Sequence, residues 1–311
     1  MTTRATREIR LVDGSTTCAR EFEEAAGLER VPGDEWWLHC TCLTNGGVFI
    51  RWANQFEFIV APGGDVITAR MVSPSSTEAF QACLLGVAFS FALIKQGIEP
   101  LHAAMLKINP MTAWRLLHDY VQLQKGDWLI QNAANSAAGR AVIQIAHELG
   151  YKTINVVRRA ELIEELRTEG ADIVIVDGEN LRDEVKTATS GAQIRLGLNA
   201  VGGDSALRVA NCLAPGSTMV TYGAMSLQPL KIPNGLLIFK DLRFRGIWIN
   251  KWYDNATPAQ RMEAFQSLFE MAKRGLLKTK VEKAYPLSEA KAAVTHAAQG
   301  KRSGKIIFKF E

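Results

Sequence analysis

Residues 126–159 read GDWLIQNAANSAAGRAVIQIAHELGYKTINVVRR. WLIQNAA (128–134) is an apolar run with a β-branched centre, as expected of a strand buried on both faces. RAVIQIAHELG (140–150) spaces its apolar residues as a helix does and stops at Gly150, and KTINVVR (152–158) is again strand-like. Between the first strand and the helix lies the loop NSAAG (135–139). A helix N-terminus offers unpaired N–H groups and the positive end of its dipole, which suits a pyrophosphate. Dinucleotide-binding turns usually carry several glycines. Here Ala137 and Ala138 stand where two would be and Gly139 alone remains, so the loop also fits a plain strand-to-helix turn.

The end of the second strand separates these readings. A site selective for NAD places a carboxylate about 20 residues beyond the loop, to bond the ribose 2′-hydroxyl. This chain has Arg158 and Arg159 there, with no acid before Glu161. Two guanidinium groups form charge-assisted bonds to a 2′-phosphate and gain little from a bare hydroxyl. The expected cofactor is therefore NADPH.

Outward from this unit the alternation continues. A helix is expected near 160–169, strands at DIVIVD (172–177) and RLGLNAV (195–201), and a helix near 205–213. Strands then follow at STMVTYG (217–223) and RFRGIWI (243–249). Short apolar strands separated by helices imply an α/β fold with a doubly wound parallel Rossmann sheet, over residues 105–311. Residues 1–104 lack that rhythm. Turn signals at Asn45-Gly46-Gly47 and Pro62-Gly63-Gly64 divide several short strands, and one long helix is expected at about 76–97. This is a smaller N-terminal α+β module.

Composition agrees with two modules. The 311 residues are 47% hydrophobic and 22% charged, which excludes disordered and fibrous classes. The net charge of +4 is too small to argue for nucleic acid. It is unevenly spread, at −4 over residues 1–104 and +8 over the rest. Cys18, Cys40, Cys42, Cys83 and Cys212 form no framework of disulfide or zinc spacing, so free thiols, a cytoplasmic location and no metal are expected. No leader segment is expected at the N-terminus, and the longest apolar run, 82–94, is too short to span a bilayer.

From about residue 103 onward the chain resembles the 2-enoyl thioester reductases of the medium-chain dehydrogenase/reductase superfamily, the mitochondrial type and its zinc-independent quinone-oxidoreductase-like relatives. The stretches that carry the resemblance are AAMLKINPMTAWRLL, GDWLIQNAANSAAGRAVIQIA, TINVVRR, LGLNAVGG, GSTMVTYGAMS and LLIFKDLRFRGIWINKW. It implies NADPH as cofactor and an acyl thioester or quinone as substrate, with acyl carrier protein and a homodimer as further partners. It also assigns site residues: Asn109 beside the nicotinamide, Asn135, Ser136, Ala137 and Ala138 at the pyrophosphate, and Arg158 and Arg159 at the 2′-phosphate. Tyr222, Gly223, Ala224 and Met225 would run along the cofactor. Ile247, Trp248, Ile249 and Asn250 would border the nicotinamide, with Trp248 at the acyl pocket, and Lys305 would lie near the cofactor. Lys240, Arg243, Arg245, Lys251 and Arg261 are candidates for coenzyme A phosphates or an acidic carrier, with a solvated basic face the equal alternative.

These reductases begin with a GroES-like domain that supplies a catalytic tyrosine. Residues 1–104 do not resemble it and contain no tyrosine; the five in the chain stand at 120, 151, 222, 253 and 285. They resemble instead the region before the P-loop of bacterial HPr kinase-like proteins, through FEFIVAPGG and CLLGVAFSFALIKQGIEPLHAA (83–104), but no G-x-x-x-x-G-K-[ST] motif exists anywhere. Three function classes stand side by side: an NADPH-dependent reductase, an NADPH-binding or redox-sensing module without turnover, and a fusion of two truncated families. Where the strands near 279–287 and 305–310 return toward the place of the GroES-like domain an apolar edge is expected, either covered by the N-terminal strands or exposed and prone to association.

Overall fold

The computed structural model describes residues 9–14, 22, 38–53, 55–97, 100–299, 302 and 304–309. Cys18, one of the expected free thiols, and Phe310, at the end of the expected last strand, lie outside them. The chain divides into two units, residues 1–107 with 265–273 and residues 108–264 with 274–311.

In the first unit, β1 (Arg10–Asp13), β2 (Leu38–Cys42), β3 (Val48–Trp52), β4 (Phe56–Val60) and β5 (Val66–Met71) form one sheet in the order β1-β5-β4-β3-β2. Only β1 runs parallel to its neighbour; the others pair antiparallel. Both glycine pairs do turn the chain. Gly46 takes a φ of +84° between β2 and β3, and Gly64 a φ of +69° between β4 and β5. The buried Glu57 carboxylate sits between Arg51 and Arg70 on the flanking strands, at 2.7 and 2.6 Å from their Nε atoms, so its charge is compensated twice. The expected single helix consists of α1 (Thr77–Cys83), a π-helical turn (Leu84–Ala88) and α2 (Phe89–Lys95), followed by α3 (Pro100–Met105).

The second unit holds α4 (Asn109–His118), β6 (Trp128–Gln131), α5 (Ala137–Leu149), β7 (Lys152–Val157), α6 (Leu162–Thr168), β8 (Ile173–Val176), α7 (Leu181–Ala188) and β9 (Ile194–Asn199). It continues with α8 (Gly203–Cys212), β10 (Thr218–Thr221), α9 (Asn234–Ile238), β11 (Arg243–Gly246) and α10 (Ile249–Asn255). Helix α11 (Pro258–Lys273) leads to β12 (Val281–Pro286), α12 (Ala290–Ala298) and β13 (Lys305–Lys309). The six strands β6 to β11 pair in parallel in the order β8-β7-β6-β9-β10-β11, the doubly wound order with its switch point between β6 and β9. Ile130, Ile154, Val156, Val209 and Met219 pack into its core, where each large aliphatic side chain contributes about 1.5–3 kcal/mol.

Three local readings change. The helix after β6 begins at Ala137, not Arg140, because the Ser136 hydroxyl caps it by accepting the Gly139 amide at 3.1 Å. The strand expected at 243–249 ends at Gly246, since Ile249 already opens α10. Helix α7 was not anticipated; it buries only Leu181 and Val185, an i,i+4 pair in an otherwise polar stretch. At the C-terminal end β12 and β13 pair with each other in parallel, joined by α12, and among the described residues neither has a further strand on its outer edge. Tyr285 and His296 fasten this small unit through a 2.9 Å contact between the hydroxyl and Nδ1.

Cys40, Cys42, Cys83 and Cys212 are free thiols. Burial pushes the Cys212 thiol up to about 12, against the partial offset of Lys240 and Arg182. Only the thiolate reacts with alkylating agents, so at pH 8 its reactive fraction is about 10⁻⁴. A short iodoacetamide pulse read by peptide mass mapping should therefore modify the exposed Cys42 while leaving Cys212 at least ~100-fold less labelled. Equal labelling would contradict the burial of Cys212. Among the described residues no helix is long and apolar enough to cross a membrane, and no group of three or more His, Cys, Asp or Glu side chains could hold a metal ion.

Candidate functional site

A cleft of about 870 Å³ runs along the carboxyl ends of the parallel strands, and every residue lining it belongs to the second unit. Its floor is a buried amide network at the switch point. Asn132, just after β6, donates to Asn199 at 2.8 Å and accepts from the Ala200 amide at 2.8 Å. Asn199 in turn accepts from the Val201 and Gly202 amides at 3.1 and 3.0 Å. These bonds fix the loop after β9, and Gly202 serves it with a φ of +89°. A Cβ there would stand 2.6 Å from the Gln228 carbonyl oxygen.

One end of the cleft is the turn into α5. Ala133 adopts a left-handed φ of +48°, which folds the chain back on itself before Ser136. Gly139 allows the helix to cross the turn closely; an added Cβ would meet the Ala134 and Ala133 carbonyl oxygens at 2.6 and 2.8 Å. Asn135, Ser136, Ala137 and Ala138 all line the cleft here. The amides of the first helical turn have no acceptor within the helix and so face an anion by default.

Beyond this turn the end of β7 supplies Arg158 and Arg159, both on the cleft wall. Arg159 lies 3.3 Å from Glu161, whose carboxylate is well exposed, so the pair is weak and easily exchanged. Among the described residues the one acid lining the cleft is Asp177, after β8. Arg208 engages both of its oxygens, at 2.6 and 3.0 Å. Its carboxylate is thus spent within the fold.

The other end is lined by Asn109 at the start of α4, by Tyr222, Gly223 and Met225 after β10, and by Ile247, Trp248 and Ile249 after β11. Burial pushes the Tyr222 hydroxyl up to about 12; Ser136 beside it offsets part of that shift, yet the oxygen makes no hydrogen bond of good geometry. An unsatisfied buried hydroxyl at a cleft wall is a place for a polar ligand atom. Trp248, also in the lining, is 69% exposed. Lys305, on β13, lines the cleft too, and burial, together with the nearby Arg302 charge, holds its amine below the usual lysine range.

Of the residues expected from the sequence, Ala224 and Asn250 are exposed and do not line the cleft. Two of the five basic candidates for an acidic partner are engaged within the fold. Lys240 donates to the Asn211 and Leu213 carbonyls at the end of α8, and Arg261 is buried and donates to the Ala256 carbonyl. Sequence reasoning missed Arg140, Lys278, Lys280 and Arg302, which line the same cleft. Arg140 stood in the quoted loop–helix stretch, but nothing local marks a helical arginine as belonging to a site. The group that the arginine pair implies fits these residues: a capped helix start, a close glycine, an unsatisfied hydroxyl and two cations share one cleft.

A family model described as zinc-binding dehydrogenase matches residues 137–266. The mitochondrial enoyl-[acyl-carrier-protein] reductase of Caenorhabditis elegans is 47% identical over 182 residues, 57% of this chain and 52% of that protein. The human protein of the same name is 45% identical over 197 residues, 62% of this chain and 53% of that protein. The chain thus spans about half the length of the curated relatives it matches. Among solved structures, an Etr1p/NADP/crotonyl-CoA complex aligns with a TM-score of 0.65 at 25% identity, covering 87% of this chain and 75% of that one. The mitochondrial 2-enoyl thioester reductase heterodimer of Candida tropicalis aligns with a TM-score of 0.62 at 26% identity, covering 84% of this chain and 73% of that one. The second unit therefore carries a doubly wound parallel α/β fold, and over about half of their length mitochondrial enoyl reductases are similar to this chain in sequence.

Proposed function

We propose that this chain is an NADPH-dependent oxidoreductase of the 2-enoyl thioester or quinone reductase type. The observation that carries the reading is the placement of Arg158 and Arg159 in one cleft with the Ser136-capped start of α5 and with Trp248. Arg158 and Arg159 hold the 2′-phosphate, and the amides of Ala137 and Ala138 meet the pyrophosphate. Tyr222 and Asn109 orient the nicotinamide end, and the exposed indole of Trp248 gives the acyl chain an apolar wall. NADPH, when bound, supplies hydride for an activated double bond.

No tyrosine in residues 1–104 is available as a positioned acid. Backbone N–H groups or water then polarise the carbonyl, the proton comes from water, and turnover is expected to be slower by ~10²–10⁴-fold than with such an acid. Loss of NADPH absorbance with a panel of 2-enoyl-CoA thioesters and quinones tests this. The expected result is slow consumption above a heat-treated control. NADPH binding without any consumption would instead support a cofactor-binding or redox-sensing module, the reading favoured by the missing acid. Binding of neither NADPH nor NADH would remove both.

The same reading includes the division into an acidic module, 1–104, and a cofactor domain, 105–311. It also includes a thioester or quinone substrate, with coenzyme A or an acyl carrier protein as its handle, and a homodimer. The free thiols support a reducing compartment such as the cytoplasm. The resemblance of residues 1–104 to HPr kinase-like proteins plays no part in the proposal, and none of the relatives named above is of that kind.

A further inference from the structure

Three residues of α5, Arg140, Gln144 and Glu148, stand one turn apart on a single face, and all three take part in holding the segment that leads into β12. Arg274 pairs with Glu148 at 2.6 Å. Gln144 binds the Lys278 backbone twice, accepting its N–H at 2.9 Å and donating to its carbonyl at 3.2 Å. Lys280 reaches Glu165 of α6, and the same Glu165 oxygen accepts from Arg140 Nη2 at 3.0 Å. Residues 274–280 thus lie strapped along α5, with Lys278 and Lys280 in the cleft wall.

Arg140 is where this strap meets the phosphate turn. Its side chain is only 5% exposed, Nη1 bonds Glu169, and Nε donates to the Asn135 carbonyl at 3.1 Å. The next amide, that of Ser136, donates to the Ala133 carbonyl at 2.9 Å. Both polar groups of the Asn135–Ser136 peptide are therefore tied, and the plane cannot turn its carbonyl toward an anion. Two cations and two carboxylates, Arg140, Lys280, Glu165 and Glu169, form the group, so its charges cancel and it has no net positive charge to attract a phosphate. We propose that Arg140 is a positioning residue for the dinucleotide pyrophosphate. It holds the turn at 135–136 in the conformation that leaves the Ala137 and Ala138 amides free, and the 274–280 strap anchors it through Glu165.

This inference rests on the cofactor reading above, and two probes separate them. NADP⁺ carries both the 2′-phosphate and the pyrophosphate, whereas adenosine 2′-monophosphate carries only the former. Calorimetric titration of the full chain with each is expected to show ~10-fold weaker NADP⁺ binding in Arg140→Lys, because a lysine cannot serve Asn135, Glu165 and Glu169 together. Adenosine 2′-monophosphate should bind within about twofold of wild type, since Arg158 and Arg159 are untouched. Arg140→Gln combined with Glu169→Gln removes equal and opposite charges, keeps the fold from stranding a buried carboxylate, and is expected to give the same split. Unchanged NADP⁺ binding in these variants, or rescue by lysine, overturns the proposal. Parallel loss of both nucleotides overturns it too, by showing a general disturbance of the cleft. Wild-type protein that binds neither nucleotide overturns the cofactor reading itself.

Discussion

Replacing Arg158 and Arg159 together by alanine is expected to abolish the preference for NADPH over NADH. The two guanidinium groups stand at the end of β7 on the cleft wall, and the one described carboxylate lining that cleft, Asp177, is held by Arg208. Hydrogen bonds to charged groups contribute roughly 1.5–3 kcal/mol each, and water screens the more exposed Arg158, so the pair together accounts for about 2–4 kcal/mol. That is a roughly 30- to 700-fold loss of NADPH affinity. NADH lacks the phosphate and should change by less than about twofold. Titration of both nucleotides against wild type, the single variants and the double variant measures this directly. Equal losses for both cofactors would mean that the arginines support the fold rather than read the phosphate.

Gly139→Ala is expected to be strongly damaging to the second unit. The glycine has no positive φ, so its backbone suits any residue; the obstacle is space. The new Cβ would lie 2.6 Å from the Ala134 carbonyl oxygen and 2.8 Å from that of Ala133. Both are backbone atoms of the turn between β6 and α5 and cannot swing aside as a side-chain tip can. Relief requires α5 to move off the turn. Overpacking of this kind costs about 1–3 kcal/mol or more, which lowers the melting temperature of a domain this size by roughly 2–4 °C per kcal/mol. Weakened nucleotide binding should accompany the loss, because the displaced helix start carries the anion-facing amides.

Gly126→Ala is the matched control. Gly126 has a φ of +88° but nothing within 4 Å of an added Cβ, so only the conformational penalty of ~1 kcal/mol applies and nucleotide binding should persist. Thermal unfolding that ranks Gly126→Ala below Gly139→Ala in stability would refute the packing argument.

Much of the fold is legible in local pattern because burial leaves a local trace. Strands covered on both faces must be continuous apolar runs, so Trp128–Gln131, Lys152–Val157 and Thr218–Thr221 stand out, and Gly150 marks the end of α5 with a left-handed φ of +76°. The arginine pair at 158 and 159 is legible for the same reason: the end of the second strand is a fixed place in this topology. Helix α7 escapes notice because it buries two side chains in eight mostly polar residues, so no apolar run announces it. The start of α5 shifts because a cap is a single hydrogen bond, from the Gly139 amide to the Ser136 hydroxyl, and composition does not distinguish that serine from an ordinary loop serine.

What the sequence by itself determined is the parallel α/β half, the turn between β6 and α5, and the arginine pair at the end of β7. Each of these depends on residues within a few positions of one another. Tertiary structure alone decided that Asp177 is occupied by Arg208 and that Lys240 and Arg261 serve carbonyls rather than a partner. It also decided that β12 and β13 pair with each other, and that Lys280 reaches Glu165 across 115 positions to steady Arg140. Periodicity records which face of an element is buried. It carries no address for the charged group, far along the chain, that folding brings against it.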